Sequence, residues 1–466
     1  MEDLLSPLAF SLILLCVVGP AAEAQWTPQF DPSPRSIGAI AFSVVDTNVV
    51  WALMIDGYNV AYGPLNQFIR TTNGGRSWTQ GSITAAAAMH PGSISAVDSL
   101  TGWVTMQSVS PTLTSDATSE GIFKTSDGGT LWTKDTTAFQ GSGGRPMFIH
   151  FFDPKKGIVV GERNNNGLSS WEIYTTTNGG TRWDSVPQVN IPPKVAGEQL
   201  MEGFEYAATQ KTFWFCTSAS MGRVFRSTNS GLTWTAAAIG SGYGRVHSIA
   251  FQDDSVGLAC VFVGGNPTTV KTTDGGSSWS AIAPPSRPTP HIIAHVPGTS
   301  GAYVVTGHIW PGTLTGSAYT LDGGRSWTTV DSNPNGPLAF AAPGCGWSAG
   351  YDAANVNTIY GWSGIPLVTS VPFYSEKMPR EFALSQNYPN PFNPSTMIAY
   401  ALPHRSRVTL TLFNALGQAV ATLVNESKDA GSHEVRFNGS NLSSGVYFYR
   451  LQAGAFVEAK KFVLVR

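Results

Sequence analysis

Charged residues are scarce in this chain of 466 residues: they make up 12% of it, about half the share of an ordinary globular protein. The 28 lysines and arginines nearly balance the 30 aspartates and glutamates, so the formal net charge is only −2. Without a strongly basic field, we expect no binding to nucleic acid. Glycine (50), proline (30) and aromatic residues (11%) are plentiful by contrast. This combination predicts many short strands joined by tight turns.

Cysteine is equally scarce. If Cys16 belongs to a cleaved leader, three cysteines remain, at positions 216, 260 and 345. An odd number excludes a complete disulfide framework. The sequence leaves two alternatives, one bridge with one buried thiol or three buried thiols, and favours the second. Neither a zinc-spaced Cys/His cluster nor a phosphate loop, nucleophile elbow or metalloprotease motif is found, so we expect no metal and no cofactor.

The sequence also lacks an apolar run of the about 20 residues that a membrane-spanning helix needs. A shorter run at residues 8–18 precedes Ala22-Glu23-Ala24, which has the small-x-small pattern of a secretory cleavage site. We therefore predict a signal peptide over residues 1–24 and no transmembrane segment after its removal. Glu2 and Asp3 stand where a signal peptide usually has basic residues. The alternative to a signal peptide is that the apolar run is a buried core strand.

One phrase recurs six times in the chain. It reads Thr-Asn-Gly-Gly-Arg-Ser-Trp at 72–78 and returns in related form at 126–132, 177–183, 228–234, 273–279 and 321–327. Asn or Asp followed by Gly supplies the positive φ angles of tight hairpins, and its side chain accepts amide hydrogen bonds. The residues to which we assign a structural role in these turns are Asn73, Trp78, Asp127, Trp132, Asn178, Trp183, Asn229, Trp234, Asp274, Trp279, Asp322 and Trp327.

Short alternating strands accompany every copy of the phrase. One lies directly before the turn, and two more lie upstream, as at residues 147–152 and 157–160. Four strands per repeat of about fifty residues are typical of β-propeller blades. A seventh blade over residues 336–362 lacks a fourth strand, and Gln25-Trp26-Thr27-Pro28 resembles the missing one. We predict that this N-terminal strand closes a seven-bladed ring; an incomplete or six-bladed ring is the alternative.

The repeated phrase resembles the Asp-box, or BNR repeat, and its spacing is similar to that of sortilin-type and photosystem II assembly-factor propellers. The resemblance implies an Asp-box propeller over residues 25–368, with the boxes on the blade periphery, away from the ligand face. Asp-boxes occur in sialidases, xyloglucan hydrolases, receptors and assembly factors alike. Asn replaces Asp at 73, 178 and 229, which fits a structural turn and not a metal-binding or catalytic carboxylate.

Composition changes near residue 371, and we predict a linker over 369–381 followed by an immunoglobulin-like β-sandwich over 382–466. This last segment closely resembles the type A sorting domain of the type IX secretion system. The matching segments are the Asn-Pro-rich box at 387–396, then 413–417, 442–447 and 460–465. The resemblance implies the type IX machinery as partner and a secreted protein or one at the outer-membrane exterior. An ordinary sandwich binding module is the alternative.

Three arginines stand just before predicted inner strands, where their side chains could form an anion-binding rim on one propeller face. These candidate ligand-binding residues are Arg35, Arg145 and Arg245. The alternative is solvated loop charges or ties between blades. Glu198, Glu202, Glu205 and Tyr206 occupy the corresponding region of another blade.

The enzymatic alternatives make specific demands on these residues. A sialidase needs an arginine triad, a Tyr nucleophile with a Glu partner and an Asp acid/base, and no such motif surrounds the arginines. A xyloglucan hydrolase needs two separated carboxylates, usually between two propellers, and one propeller is predicted. We therefore predict no catalytic residue, and a non-catalytic propeller that binds an extracellular protein or glycan. A glycoside hydrolase of sialidase or xyloglucan-hydrolase type is the runner-up, and a structural surface-layer component is a third reading.

Overall fold

The computed structural model describes residues 26–31, 37–56, 66–83, 89–108, 120–140, 144–165, 168–200, 206–218, 222–240, 242–264, 266–307, 314–333, 335–351, 357–363, 367, 382–387, 390–428, 431–454 and 456–465. The predicted signal peptide and linker lie outside these residues, as do Arg35, Glu202 and Glu205. The chain divides into two compact units, Met1–Thr369 and Ser370–Arg466. Within the described part, no helix is long and apolar enough to cross a membrane.

The described residues of the first unit form seven four-stranded antiparallel sheets, which we number as blades. Apart from one 3-10 turn, Gln188–Asn190, its described regular structure is all strand. The blades are blade 1, β2 (Ile37–Val44), β3 (Val50–Asp56), β4 (Gln67–Thr71), β5 (Thr79–Ser82); blade 2, β6 (Met89–Ala96), β7 (Gly102–Ser108), β8 (Gly121–Thr125), β9 (Thr133–Lys134); blade 3, β10 (Gly144–Phe151), β11 (Gly157–Asn165), β12 (Leu168–Thr176), β13 (Asp184–Ser185); blade 4, β14 (Tyr206–Ala208), β15 (Phe213–Cys216), β16 (Arg223–Ser227), β17 (Thr235–Ala238); blade 5, β18 (Tyr243–Phe251), β19 (Gly257–Val263), β20 (Asn266–Thr272), β21 (Ser280–Ile282); blade 6, β22 (Ile292–His295), β23 (Tyr303–Thr306), β24 (Ser317–Thr320), β25 (Thr328–Asp331); and blade 7, β26 (Asn335–Ala342), β27 (Cys345–Tyr351), β28 (Asn357–Trp362), β1 (Trp26–Phe30).

The ring is closed by the N-terminal strand. β1 pairs antiparallel with β28, and Trp26 lies opposite Trp362. The Trp26 indole N–H donates to the Ser317 hydroxyl of blade 6 over 3.0 Å, and β26 lies against both β2 and β22. The predicted seven-bladed propeller, completed by its first strand, is therefore confirmed.

Neighbouring blades are joined by a contact that sequence analysis did not predict. Trp51, Trp103 and Trp214 are fully buried on the second strands of their blades, each opposite a cation on the third strand. Lys124 lies 5.3 Å from the Trp103 ring and donates to the Gly179 carbonyl of the next blade over 2.8 Å. The Trp214 indole likewise donates to the next blade, at the Gly275 carbonyl. Each tryptophan thus packs within its blade and against the following one.

Among the described residues, Cys216, Cys260 and Cys345 form no disulfide with one another. Cys216 and Cys260 are buried, as expected for structural thiols, and burial raises the pKa of Cys260. Cys345 is only half-buried, and its sulfur lies 3.7 Å from the Thr47 carbonyl. The preference for three buried thiols was therefore wrong at this position, because Cys345 begins β27 at the surface of the blade.

The second unit is a β-sandwich with one apolar core. Its two sheets have the orders β29-β30-β33 and β32-β31-β34-β35. The strands are β29 (Ala383–Leu384), β30 (Ser395–Leu402), β31 (Ser406–Asn414), β32 (Ala419–Lys428), β33 (Gly431–Asn438), β34 (Gly445–Ala453) and β35 (Phe456–Leu464). The Asn-Pro box fastens the last strand: the Asn390 amide oxygen accepts from the Val463 N–H over 2.9 Å, and Phe392 pairs with Leu464.

Candidate functional site

The propeller has two faces that follow from its antiparallel blades. The turns after the first and third strands of a blade lie at one end, which we call the turn face. The loops after the second strand and between blades lie at the other end, which we call the loop face. The Gly128 N–H of a repeated turn donates to the Leu100 carbonyl of the neighbouring first turn over 2.9 Å. The six repeated turns therefore lie together on the turn face.

The repeated turn has the same hydrogen bonds in all six copies. In the first, the Thr71 hydroxyl donates to Asn73 Oδ1 (3.0 Å), and the Gly75 N–H donates to the Thr71 hydroxyl (2.9 Å). The Ser77 N–H donates to Asn73 Oδ1 (2.9 Å). The equivalent distances lie between 2.8 and 3.1 Å around Asp127, Asn178, Asn229, Asp274 and Asp322. Because one side-chain oxygen accepts in each case, Asn serves as well as Asp.

The tryptophan that ends each turn lies at the seam with the preceding blade. Trp132 of blade 2 packs against Trp51 and Phe68 of blade 1, with ring centroids 6.4 and 5.6 Å away. A Cβ atom on Gly129, where φ is +92°, would overlap the Phe68 ring. The tryptophans that share a cluster with the preceding blade in this way are Trp78, Trp132, Trp183, Trp234, Trp279 and Trp327.

Exchanging amide and carboxylate in these turns should leave stability unchanged. We expect Asn178→Asp and Asp127→Asn to keep the wild-type unfolding temperature, because each retains the accepting oxygen. Thr176→Ala should cost about 2 kcal/mol, because it removes two hydrogen bonds and leaves the buried Gly180 N–H without its acceptor. The unfolding temperatures of these variants and of wild type, measured with and without EDTA, test this prediction. A lower unfolding temperature in EDTA would mean that a metal ion holds the turn, which would contradict a turn held by hydrogen bonds alone.

On the loop face, the described part of the long connection from blade 3 to blade 4, residues 186–200, is held by ion pairs. Lys194 Nζ lies 2.7 Å from Glu162 Oε2 and 4.4 Å from the centre of the Trp171 ring. Both charged side chains are largely buried. Gln188 Nε2 adds a hydrogen bond of 2.6 Å to the Trp171 carbonyl. The connection is therefore fastened to blade 3.

Glu198 fastens the same connection to blade 4. Its buried carboxylate forms an ion pair with Arg223 and accepts from the Thr217 hydroxyl (2.6 Å) and the Val195 N–H (3.0 Å). Burial alone would raise the pKa of this carboxyl, but the hydrogen bonds from Arg223 and Thr217 outweigh it, so the pKa lies below its usual value. Glu198 is therefore ionised near neutral pH.

A third ion pair lies between two strands of blade 3. Arg163 Nη2 lies 2.5 Å from Glu172 Oε1, which also accepts from the Tyr174 hydroxyl over 2.7 Å. Burial and this hydrogen bond raise the pKa of Tyr174 to about 12. The sequence pattern did not indicate any of these ion pairs, although charged residues at strand ends stand out in a chain with so few of them. We call the three ion pairs, Lys194–Glu162, Arg223–Glu198 and Arg163–Glu172, the clamp.

The structure places two of the three candidate arginines at the loop-face ends of inner strands. Arg145 Nε donates to Gln107 Oε1 of blade 2 over 2.6 Å. Arg245, on blade 5, lies near His291 of blade 6, where burial and the arginine charge both contribute to a lowered imidazole pKa. The two arginines thus face neighbours on opposite sides, and their convergence with Arg35 stays a prediction.

The inner strands of all seven blades line a channel of about 410 Å³. No carboxylate is among its described lining residues. His150 lies in this wall among Phe152, Tyr206 and Phe213, and burial lowers its pKa to about 4. Burial also raises the pKa of Tyr206. At neutral pH the described channel wall therefore carries neutral side chains.

Residues 386–465 match the family described as "Secretion system C-terminal sorting domain". The C-terminal unit is a type IX sorting domain. A protein with this sorting domain is secreted or lies at the cell surface, as predicted. The family covers this unit, and it says nothing about what the propeller does.

The solved structures that the propeller resembles in fold include two of YCF48. "YCF48 bound to D1 peptide" is 15% identical, with a TM-score of 0.51 over 73% of this chain and 96% of that one. YCF48 from Cyanidioschyzon merolae is 14% identical, with a TM-score of 0.50 over 74% and 99%. A GH74 enzyme from Niastella koreensis is 13% identical, with a TM-score of 0.45 over 92% of this chain and 66% of that one. No curated protein matches the chain. At these identities the likeness concerns the fold, and it confirms the predicted similarity to assembly-factor propellers.

Proposed function

We propose that the exported propeller is a non-catalytic module that binds an extracellular protein or glycan through its loop face. One observation carries this proposal: the three enclosed carboxylates of the clamp each have a cationic partner. A glycosidase of the two-carboxyl type needs one carboxyl that keeps its proton near neutral pH and a second that faces the substrate. Glu198 has the opposite property, since its pKa is lowered.

The clamp also supports a binding surface. Two of its pairs, Lys194–Glu162 and Arg223–Glu198, hold the connection 186–200 on both sides. This connection presents Val189, which is 92% exposed, and Val195, which is 47% exposed. A surface held rigid before binding loses little conformational entropy when its ligand arrives. We assign the six repeated turns a structural role on the opposite face. A propeller of similar fold has been solved with a bound peptide, which makes peptides the first ligand class to test beside glycans.

The experiment screens the purified full chain against peptide and glycan arrays and against fluorogenic sialosides and xyloglucan. We expect saturable binding and no turnover. Val189→Asp should weaken binding at least tenfold, and Leu131→Asp, at a 62% exposed position on the turn face, should not. If the wild-type chain hydrolyses one of these substrates and Glu202→Gln or Tyr206→Phe abolishes the hydrolysis, the proposal is wrong and the protein is a hydrolase. If Val189→Asp and Leu131→Asp bind the ligand equally well, the loop face is not the binding surface.

A further inference from the structure

Many residues of the sorting domain that match its family are accounted for by the fold itself. Asn387 is buried, donates from its backbone N–H to the Tyr449 hydroxyl and donates from its amide to the Thr396 hydroxyl. The Tyr447 hydroxyl donates to the Ser443 carbonyl over 2.9 Å, and Phe462 lies in the core. These residues need no partner outside the domain to explain them.

Several apolar residues in the same matched region are exposed, and three of them concern us here. Leu416 is 83% exposed, Val446 41% and Phe448 39%. Leu416 lies in the turn between β31 and β32, where Asn414 Oδ1 accepts from two backbone N–H groups and Gly417 adopts a φ of +77°. That turn would form equally well with a polar side chain at position 416. Folding therefore does not account for an exposed leucine here.

These exposed residues come from two separate segments that meet at one end of the sheet, because Asn414, two residues before Leu416, lies opposite Tyr447. Phe413 on β31 lies opposite Phe448 on β34, and Val446 lies opposite Val463 on β35. Val446 and Phe448 point away from the core, because Tyr447 and Tyr449 between and beyond them are buried. We call the surface formed by Phe413, Leu416, Val446, Phe448 and Val463 the outer patch.

The rim of the outer patch is basic. Lys461 lies opposite Phe448 in the strand register, and it is exposed. The Arg450 guanidinium lies 4.9 Å from the centre of the Phe413 ring. An apolar centre with a charged rim is the usual anatomy of a protein–protein interface, and contiguous exposed apolar surface marks such sites.

We propose that the outer patch docks the folded sorting domain on a protein of the secretion machinery whose surface is apolar at its centre and acidic at its rim. The patch combines three segments of the region that defines this domain as a sorting signal. Its basic rim complements carboxylates on the partner. This inference concerns the second unit and is independent of what the propeller binds.

The test is export of the full chain in a bacterium with a type IX system. The double variant Leu416→Asp/Phe448→Asp should lower the fraction outside the outer membrane at least tenfold, with protein accumulating in the periplasm. Lys461→Glu, which changes only a charge of the rim, should lower the fraction outside the outer membrane at least threefold. The matched controls Met397→Asp, on the other sheet, and Val457→Asp, at the far end of β35, change residues that are 36% and 55% exposed. Both controls should export normally.

Circular dichroism of the purified full chains shows whether each variant folds. If the double variant fails to fold, Lys461→Glu decides, because it changes only an exposed charge. Normal export of a folded double variant, or of Lys461→Glu, overturns the proposal. So does equal loss of export in the two controls. A wild-type dimer that the double variant converts to a monomer with unchanged export would assign the patch to a second copy of the chain instead.

Discussion

Trp26→Ala should destabilise the propeller by about 3–5 kcal/mol, which is the usual cost of removing a large buried aromatic side chain. Trp26 is 3% exposed, and its ring centroid lies 4.9 Å from that of Trp362 across the β1–β28 pair. Its indole N–H reaches the Ser317 hydroxyl in blade 6. The substitution therefore weakens both the closing strand and its contact with the neighbouring blade.

Tryptophan fluorescence during urea unfolding measures this effect without interference from the sorting domain. All 14 tryptophans lie before residue 363, so the signal reports the propeller alone. Trp26→Phe keeps an apolar ring and loses the hydrogen bond, and it should cost less than the alanine variant. Val189→Ala, at an exposed position, should be neutral. If Trp26→Ala stays within about 0.5 kcal/mol of wild type, a range typical of surface substitutions, β1 does not hold the ring closed.

The ring could be predicted from the sequence because its signals are local. Asn or Asp, with Gly one or two residues later and Trp five residues later, specifies each hairpin locally. The alternating strands specify blade faces. Even the closing strand carried a local signal, since Gln25-Trp26-Thr27-Pro28 resembles the strands that follow the other turns. The sorting domain was predictable for the same reason, because its motifs are contiguous.

Two pairs of the clamp, Lys194–Glu162 and Arg223–Glu198, could not be predicted because they depend on how one loop crosses two blades. Glu198 was identified as a charged residue near an inner strand, but its partner Arg223 lies 25 residues away, on the third strand of blade 4. Nothing in the local pattern distinguishes Arg223 from the other arginines. For the candidate anion-binding rim, the position was predictable and the contacts were not. A shared phase along the repeats placed Arg145 and Arg245 on one face, but it did not specify which residues lie beside them.

The clamp leads to the second large expected effect. Glu198→Ala should cost about 3–5 kcal/mol, because it leaves the Arg223 guanidinium largely buried without its counter-charge. The matched control is Asp184→Asn, which breaks the exposed pair with Arg182 (2.9 Å). That control should cost at most about 1 kcal/mol. Urea unfolding at pH 7, followed by tryptophan fluorescence, compares the two.

The same pair should make stability depend on pH in a defined direction. Because the folded-state pKa of Glu198 is lowered, the unfolded chain takes up its proton first as the pH falls. The stabilisation is complete above the unfolded-state pKa of about 4.3 and is lost as the pH falls through the folded-state value. The difference in unfolding free energy between wild type and Glu198→Gln should therefore be constant from pH 7 to about 5 and shrink below about 4.3, the same reference pKa. A difference that does not change with pH would mean that the carboxylate charge does not hold the connection between blades 3 and 4.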